Sequence, residues 1–216
     1  MADQVRIVLA SASDARLRTL RNAGLDPEVF VSGLEEDSES VEEVTELVAR
    51  LAQRKAEAVT ARIDHGPGTV VIGCDSMLEL GGVAYGKPGT PAEAVRRWQR
   101  IRGRTGLLHT GHHVVFQRDS EVTTRTAVAS TLVHFAEITD EEIEAYVAST
   151  EPLHVAGGFT IDGLGGPFIT KIEGDHHNVV GISLPLLRTM LNELGIWWPS
   201  LWRVQPRASG NRAPPC

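Results

Sequence analysis

Apolar and polar positions follow two rhythms along the chain, and the switches between them mark its elements. Val5-Arg6-Ile7-Val8-Leu9-Ala10 is a short apolar run that reads as a first strand. It leads into Ser11-Ala12-Ser13-Asp14, a segment rich in helix-capping residues. Leu17, Leu20 and Leu25 then fall in a helix-like rhythm, and Gly24 ends that helix. Residues 28–31 read as a second strand. A long helix is predicted over roughly 42–62, with Val44, Leu47, Val48, Leu51 and Ala58 on one face. Its acidic start and basic Arg50, Arg54 and Lys55 suit the helix dipole.

The second half alternates strands with capped helices. Thr69-Val70-Val71-Ile72-Gly73-Cys74 reads as a buried strand, and residues 77–80 with 83–85 as a hairpin around Gly81-Gly82. Thr90-Pro91 opens a helix to residue 102, with Thr as cap and Pro in the first turn. Strands over 106–117 and 122–136 follow. Thr139 and Glu142 form a capping-box pattern ahead of a helix to Ala148. Short strands near 159–162 and 167–172 lie among glycines, and residues 183–194 read as a last helix. The expected architecture is α/β or α+β: a central mixed sheet flanked by helices.

Bulk properties narrow the picture. The chain has 216 residues, 42% of them hydrophobic, enough for one sizeable core or for two small lobes sharing a cleft. The 28 acidic and 21 basic residues give a formal charge of −7, which disfavours a broad nucleic-acid surface. A small phosphorylated ligand remains open, because it needs only a few local cations or a metal held by carboxylates. No run is long enough for a membrane helix, and the start lacks the basic and apolar regions of a secretory signal. Two cysteines, Cys74 and Cys216, do not suggest a structural disulfide and point to a reducing, cytoplasmic setting. Residues 196–216 carry three Trp, four Pro and three Arg without an acid, and read as a poorly ordered tail after a domain at 1–195.

Four segments could carry chemistry, each with an ordinary reading beside it. Ser11 to Arg16 joins a strand to a helix, where free N–H groups and the dipole suit phosphate; it also reads as a plain cap. Asp75, followed by Ser76, ends an apolar strand, where a carboxylate can hold a metal or take a proton from water, or simply shape a turn. Lys87 lies in Gly86-Lys87-Pro88, a loop cation that could meet a polyphosphate or solvent. Glu35-Glu36-Asp37 could bind Mg²⁺ or form a solvated acidic face. Lys55 has the usual expectation of a solvent-facing helix lysine. His109, His112 and His113 have a spacing that suits a metal only on a helix, and they lie in a β-like stretch. With His176 and His177, they read as non-ligands.

In order, these segments resemble the Maf family of nucleotide pyrophosphatases. The match runs through Leu9-Ala10-Ser11-Ala12-Ser13, Arg16, Cys74-Asp75-Ser76, Gly86-Lys87-Pro88 and His109-Thr110-Gly111. It continues through Glu151-Pro152, Ala156-Gly157-Gly158-Phe159, Gly163-Leu164-Gly165-Gly166, and the run from Asn178 to Pro185. The resemblance implies two lobes around a deep cleft, similar to the inosine triphosphate pyrophosphatases. It also implies cleavage of a nucleoside triphosphate between its α and β phosphorus atoms, with a divalent cation, Mg or Mn. By position, the family's functional residues fall on Ser11, Arg16, Glu36, Lys55, Asp75 and Lys87. Asp75 and Glu36 would hold the metal and act with Lys87 in catalysis. Ser11, Ser13, Arg16, Lys55, Ser76 and Asp162 would meet the substrate.

Two positions depart from the family's pattern. Where the family commonly has Ser-Pro followed by two large residues, often Arg-Arg, Ser13 is followed by Asp14 and Ala15, so one cation or bulky group is missing. Asp162 stands where a pyrimidine-preferring branch often has Gln. An ionised Asp only accepts hydrogen bonds, so it favours base edges that donate, those of guanine or cytosine. The role implied is removal of unwanted nucleotides from the pool. A nucleotide-binding regulator of cell division is the non-enzymatic alternative, a plain phosphatase releasing orthophosphate a second, and nucleic-acid binding through the tail a third. A homodimer is left open.

Overall fold

The computed structural model describes residues 5–34, 43–64, 66, 68–118 and 120–203. In chain order they form β1 (Arg6–Leu9), α1 (Asp14–Asn22), β2 (Glu28–Val29), α2 (Val44–Thr60), β3 (Thr69–Leu80), β4 (Val83–Tyr85) and α3 (Pro91–Ile101). Then come β5 (Thr105–Arg118), β6 (Glu121–Phe135), α4 (Asp140–Ala148), β7 (Ile169–Glu173), α5 (His176–Val180) and α6 (Leu184–Glu193). The capping signals act as expected. Ser13, Thr90, Thr139 and Ser183 each accept a backbone N–H of the helix that follows, and Thr139 with Glu142 closes a full capping box.

The strands make one mixed sheet in the order β2-β1-β3-β5-β6-β7, with β4 also paired to β3. β1 runs parallel to both β2 and β3; the remaining pairings are antiparallel. β3 is buried along almost its whole length, which is why its sequence reads as a continuous apolar run. It pairs with β5 from Thr69 to Glu79. On its other edge β1 reaches only to Ile72, and the pairing with β4 covers only Leu78 to Leu80. Among the described residues, 73–77 therefore have no strand neighbour on that edge.

Two apolar cores flank this gap. One gathers Leu9, Ile72 and Cys74 with Leu20 of α1 and Leu187 and Leu191 of α6. The other gathers Leu78 and Leu108 with Trp98 of α3, Ile143 of α4 and Phe135. Trp98 meets Phe135, Tyr146 and Phe168 edge-on, and its indole N–H donates to the Gly158 carbonyl at 2.8 Å. On the opposite face α2 crosses β3 and β5, burying Val48, Leu51, Ala56 and Val59.

Two glycines allow that crossing to be close. A Cβ at Gly73 would sit 2.3 Å from the Ala52 carbonyl oxygen, and one at Gly111 would sit 2.1 Å from that of Val48. Only a residue without a side chain lets the helix backbone come so near.

The structure differs from the sequence reading in three places. The strand at 69–74 and the first arm of the expected hairpin are a single twelve-residue strand, β3. Residues 159–162 are not a strand. The Thr160 N–H bonds the Tyr146 hydroxyl, and the Leu164 and Gly165 N–H groups bond the Glu151 carboxylate, so no partner strand is needed. At the start of the segment read as a tail, Ile196 and Leu201 are buried in the first core, and the Arg203 N–H donates to the Gly24 carbonyl at 2.8 Å.

Candidate active site

A cleft of about 730 Å³ opens at the gap beside β3. It is lined by Ser11, Ser13, Arg16, Lys55, Asp75, Ser76, Lys87 and Asp162. They arrive from five segments of the chain. Ser11 to Arg16 lie where the chain leaves the carboxyl end of β1 and enters α1, the end of a parallel strand where α/β sheets commonly place ligands. Lys55 comes from α2, Asp75 and Ser76 from β3, Lys87 from the loop after β4, and Asp162 from the loop before β7. Glu36, with Glu35 and Asp37, lies outside the described residues.

Strand geometry sends Asp75 and Ser76 to opposite faces. Asp75 shares its face with Gly73 and points to α2, where the Lys55 ammonium donates a hydrogen bond to Asp75 Oδ1. Both side chains are buried, at 4% and 10% exposure, so the pair sits out of bulk water. Lys55 thus departs from the expectation of a solvent-facing lysine. The close approach of α2 over Gly73 and Gly111 carries it to the carboxylate.

Ser76 points the other way, to Arg16. The Arg16 guanidinium donates to Ser76 Oγ at 3.0 Å, to Ser11 Oγ at 3.1 Å and to the Gly181 carbonyl at 2.7 Å. Ser11 Oγ also accepts the Ser13 N–H at 3.2 Å, and Ser13 Oγ caps α1 by accepting the Arg16 N–H at 3.4 Å. The segment is therefore a helix cap and a cation holder at once.

Lys87 is exposed on the rim of the cleft, on a loop fixed from beneath. The Gly86 carbonyl accepts from the buried Arg97 guanidinium and from the Gly157 N–H. Arg97 also stacks over the Tyr85 ring, 5.0 Å from its centroid. Burial lowers the Arg97 pKa, against the opposing pull of Glu93. Sequence reading missed Arg97, since a basic residue on an amphipathic helix looks like a surface group.

Glu151, in the Glu151-Pro152 motif, is a further residue of the cleft that the sequence reading does not single out. Its carboxylate accepts from Tyr146 Oη at 3.0 Å, Thr160 Oγ1 at 2.5 Å, and the N–H groups of Leu164 and Gly165, each at 3.0 Å. Burial pushes its pKa up, but these donors outweigh burial and hold it below the usual carboxylate value. They shape the loop that presents Asp162, which pairs with Arg18 at 3.7 Å.

The histidines have partners of other kinds. His109 bonds Glu79 and Ser130, at 2.9 Å and 2.8 Å. His112 Nε2 accepts the Ser183 N–H at 2.8 Å, so its proton is on Nδ1, facing the Thr110 carbonyl at 3.0 Å. Burial pushes the His112 pKa down to about 4 and keeps it neutral. His113 bonds Thr126 at 2.7 Å and is likewise lowered by burial. Among the described residues no three His, Cys, Asp or Glu side chains cluster as a metal site. Asp75 supplies a hard carboxylate in the cleft, the donor type that fits a hard divalent cation. Burial raises the neighbouring Cys74 thiol to about 11, which removes it from thiolate chemistry at neutral pH.

The family described as Maf-like protein matches residues 6–194. A protein of Streptomyces avermitilis named nucleoside triphosphate pyrophosphatase is 54% identical over 204 residues, covering 94% of this chain and 98% of the relative. One of the same name from Salinispora tropica is 53% identical, covering 92% of this chain and 88% of the relative. Among solved structures, the Staphylococcus aureus Ham1 protein aligns with a TM-score of 0.43 at 16% identity, covering 88% of this chain and 99% of that one.

Proposed function

The chain belongs to the Maf-like protein family, and on that premise we propose that it is a nucleoside triphosphate pyrophosphatase, converting a triphosphate and water to the monophosphate and pyrophosphate. The observation that carries this reading is one cleft in which a buried carboxylate, Asp75, stands with the cations Lys55, Arg16 and Lys87. A triphosphate carries several negative charges, and cleavage moves more charge onto the departing pyrophosphate. Fixed cations in a site shielded from water oppose that charge with little reorganisation.

In the proposed reaction, water oxygen bonds to the α phosphorus while the bond from that phosphorus to the bridging oxygen breaks. The electron pair leaves with pyrophosphate. Asp75 orients the water or takes its proton. Lys55 holds one Asp75 oxygen and adds positive charge beside it. Arg16, with Ser11 and the amino end of α1, holds the phosphate chain on the opposite side, and Lys87 reaches it from the rim. A bound Mg²⁺ or Mn²⁺, held by Asp75 and by Glu36, would polarise phosphoryl oxygens and offset charge on the leaving group. Asp162, beside Arg18, faces the base and favours the donor edges of guanine or cytosine. Clearing unwanted nucleotides from the cytoplasmic pool is the role this chemistry fits, and the buried Cys74 thiol suits that reducing compartment.

The test is a turnover panel of common and modified nucleoside triphosphates, with Mg²⁺, with Mn²⁺ and with chelator. Pyrophosphate formation that stops with chelator is expected. Release of orthophosphate alone would indicate a phosphatase, and nucleotide binding without turnover would indicate a regulator.

A further inference from the structure

The motif around Thr110 and the run from Asn178 to Ser183 are not used by the proposed reaction, yet both connect to Arg16. Thr110 lies on β5 directly opposite Ser76 on β3, and it is fully buried. Its hydroxyl makes two bonds, one of 2.9 Å with Ser76 Oγ and one of 3.2 Å to the Asn178 carbonyl.

The direction of this chain follows from donor arithmetic. A carbonyl only accepts, so Thr110 gives its single hydroxyl proton to Asn178. Thr110 must then accept from Ser76, and the Ser76 proton is committed. Ser76 Oγ faces Arg16 with lone pairs only, which suits the guanidinium N–H it receives at 3.0 Å. Were the Ser76 proton free to rotate toward Arg16, the two donors would oppose each other.

The far end of the chain is fixed in turn. The Asn178 side chain is fully buried and donates to the Leu108 carbonyl at 3.1 Å and to Thr131 Oγ1 at 3.0 Å. His112, two residues along the same face of β5, receives the Ser183 N–H and so tethers the segment that carries the Gly181 carbonyl, the acceptor of Arg16 Nε. Two of the three acceptors around Arg16 therefore trace back to one face of β5. Three of its N–H groups are spent on these posts, and a guanidinium has about five, so roughly one on each terminal nitrogen is left to meet a ligand.

We propose that Thr110 is a positioning residue for Arg16, setting the hydrogen-bond direction that aims the guanidinium at the phosphate chain. The proposal rests on the reading of the cleft as a triphosphate site. It does not require that the bound triphosphate be cleaved.

The experiment is a double-mutant cycle between Thr110→Val and Arg16→Ala, with Thr110→Ser as the conservative variant. The probe is an α,β-methylene nucleoside triphosphate in Mg²⁺ buffer, its affinity measured by calorimetry. Pyrophosphate release by the unaltered protein, from the matching hydrolysable triphosphate, is measured alongside. Thr110→Val should weaken binding about tenfold. Thr110→Ser should bind within about twofold of the unaltered protein, and Thr110→Val added to Arg16→Ala should change affinity by less than about twofold. Equal losses with and without Arg16, or no loss at all, would overturn the proposal. If Thr110→Val does not fold, Thr110→Ala removes the same hydroxyl with less bulk, leaves Ser76 in place, and enters the same cycle. Coupled binding without pyrophosphate release would sustain the role of Thr110 while removing the pyrophosphatase reading, so the two fail separately.

Discussion

Asp75 and Ser76 are consecutive residues of β3, and each engages a cation from a different face of the sheet: Asp75 the Lys55 ammonium on α2, Ser76 the Arg16 guanidinium on α1. They do so at the gap between β1 and β4, where the strand edge is uncovered. One turn of pleat thus brings two helices to the same cleft.

Asp75→Asn should cut turnover by at least about a hundredfold, the range for removing a positioned acid–base group. The substitution also takes the carboxylate charge from a buried lysine, so thermal unfolding must be followed in parallel. Near-normal turnover by folded Asp75→Asn would remove Asp75 from the mechanism.

Gly111→Ala should lower both stability and activity. Its Cβ would fall 2.1 Å from the Val48 oxygen and 2.4 Å from the Val48 carbonyl carbon, backbone atoms that cannot swing away. Relief requires moving α2, and with it Lys55. Overpacking of this kind costs about 1–3 kcal/mol or more. Denaturant unfolding measures the first effect, and pyrophosphate release under folded conditions the second.

Acid should weaken the fold through His112. Its folded pKa is depressed to about 4 from an ordinary 6.5. The unfolded chain therefore takes up a proton before the folded one does. Stability from this group is present above about pH 6.5 and lost as pH falls toward 4, by a total on the order of 3 kcal/mol. His112→Gln should be less stable at pH 7, because the Ser183 and Thr110 bonds are disturbed. It should also show a shallower decline between pH 6.5 and 4, read by denaturant unfolding at each pH.

Most elements were legible because local signals agreed with tertiary ones. The caps at Ser13, Thr90, Thr139 and Ser183 and the stripe from Val44 to Leu51 needed no partner to be recognised. Other features exist only in three dimensions. The strand edge left open at 73–77 depends on how far the β1 and β4 pairings reach along β3. Lys55 looked like a solvent residue, and only the glycines that admit α2 show why it is buried. Glu151 carries its meaning through N–H groups 13 and 14 residues away, and Arg97 through a carbonyl 11 residues back. Spacing along the chain cannot display such pairings. Glu36, expected to bind metal, lies outside the described residues.

Base selectivity should respond to Asp162. Asp162→Gln adds a donor where only an acceptor stood and loosens the pair with Arg18. The preference for guanine or cytosine triphosphates over those of uracil and thymine should shrink by about tenfold, in keeping with the value of one base-edge contact. Ratios of kcat/KM across the four substrates report it. An unaltered protein that already prefers UTP or dTTP would contradict the assignment.

The central claim is attack by water at the α phosphorus. Turnover in ¹⁸O-labelled water, with mass spectrometry of both products, addresses it directly. One labelled oxygen is expected in the monophosphate and none in pyrophosphate. Label in pyrophosphate, or orthophosphate as the first labelled product, would contradict it.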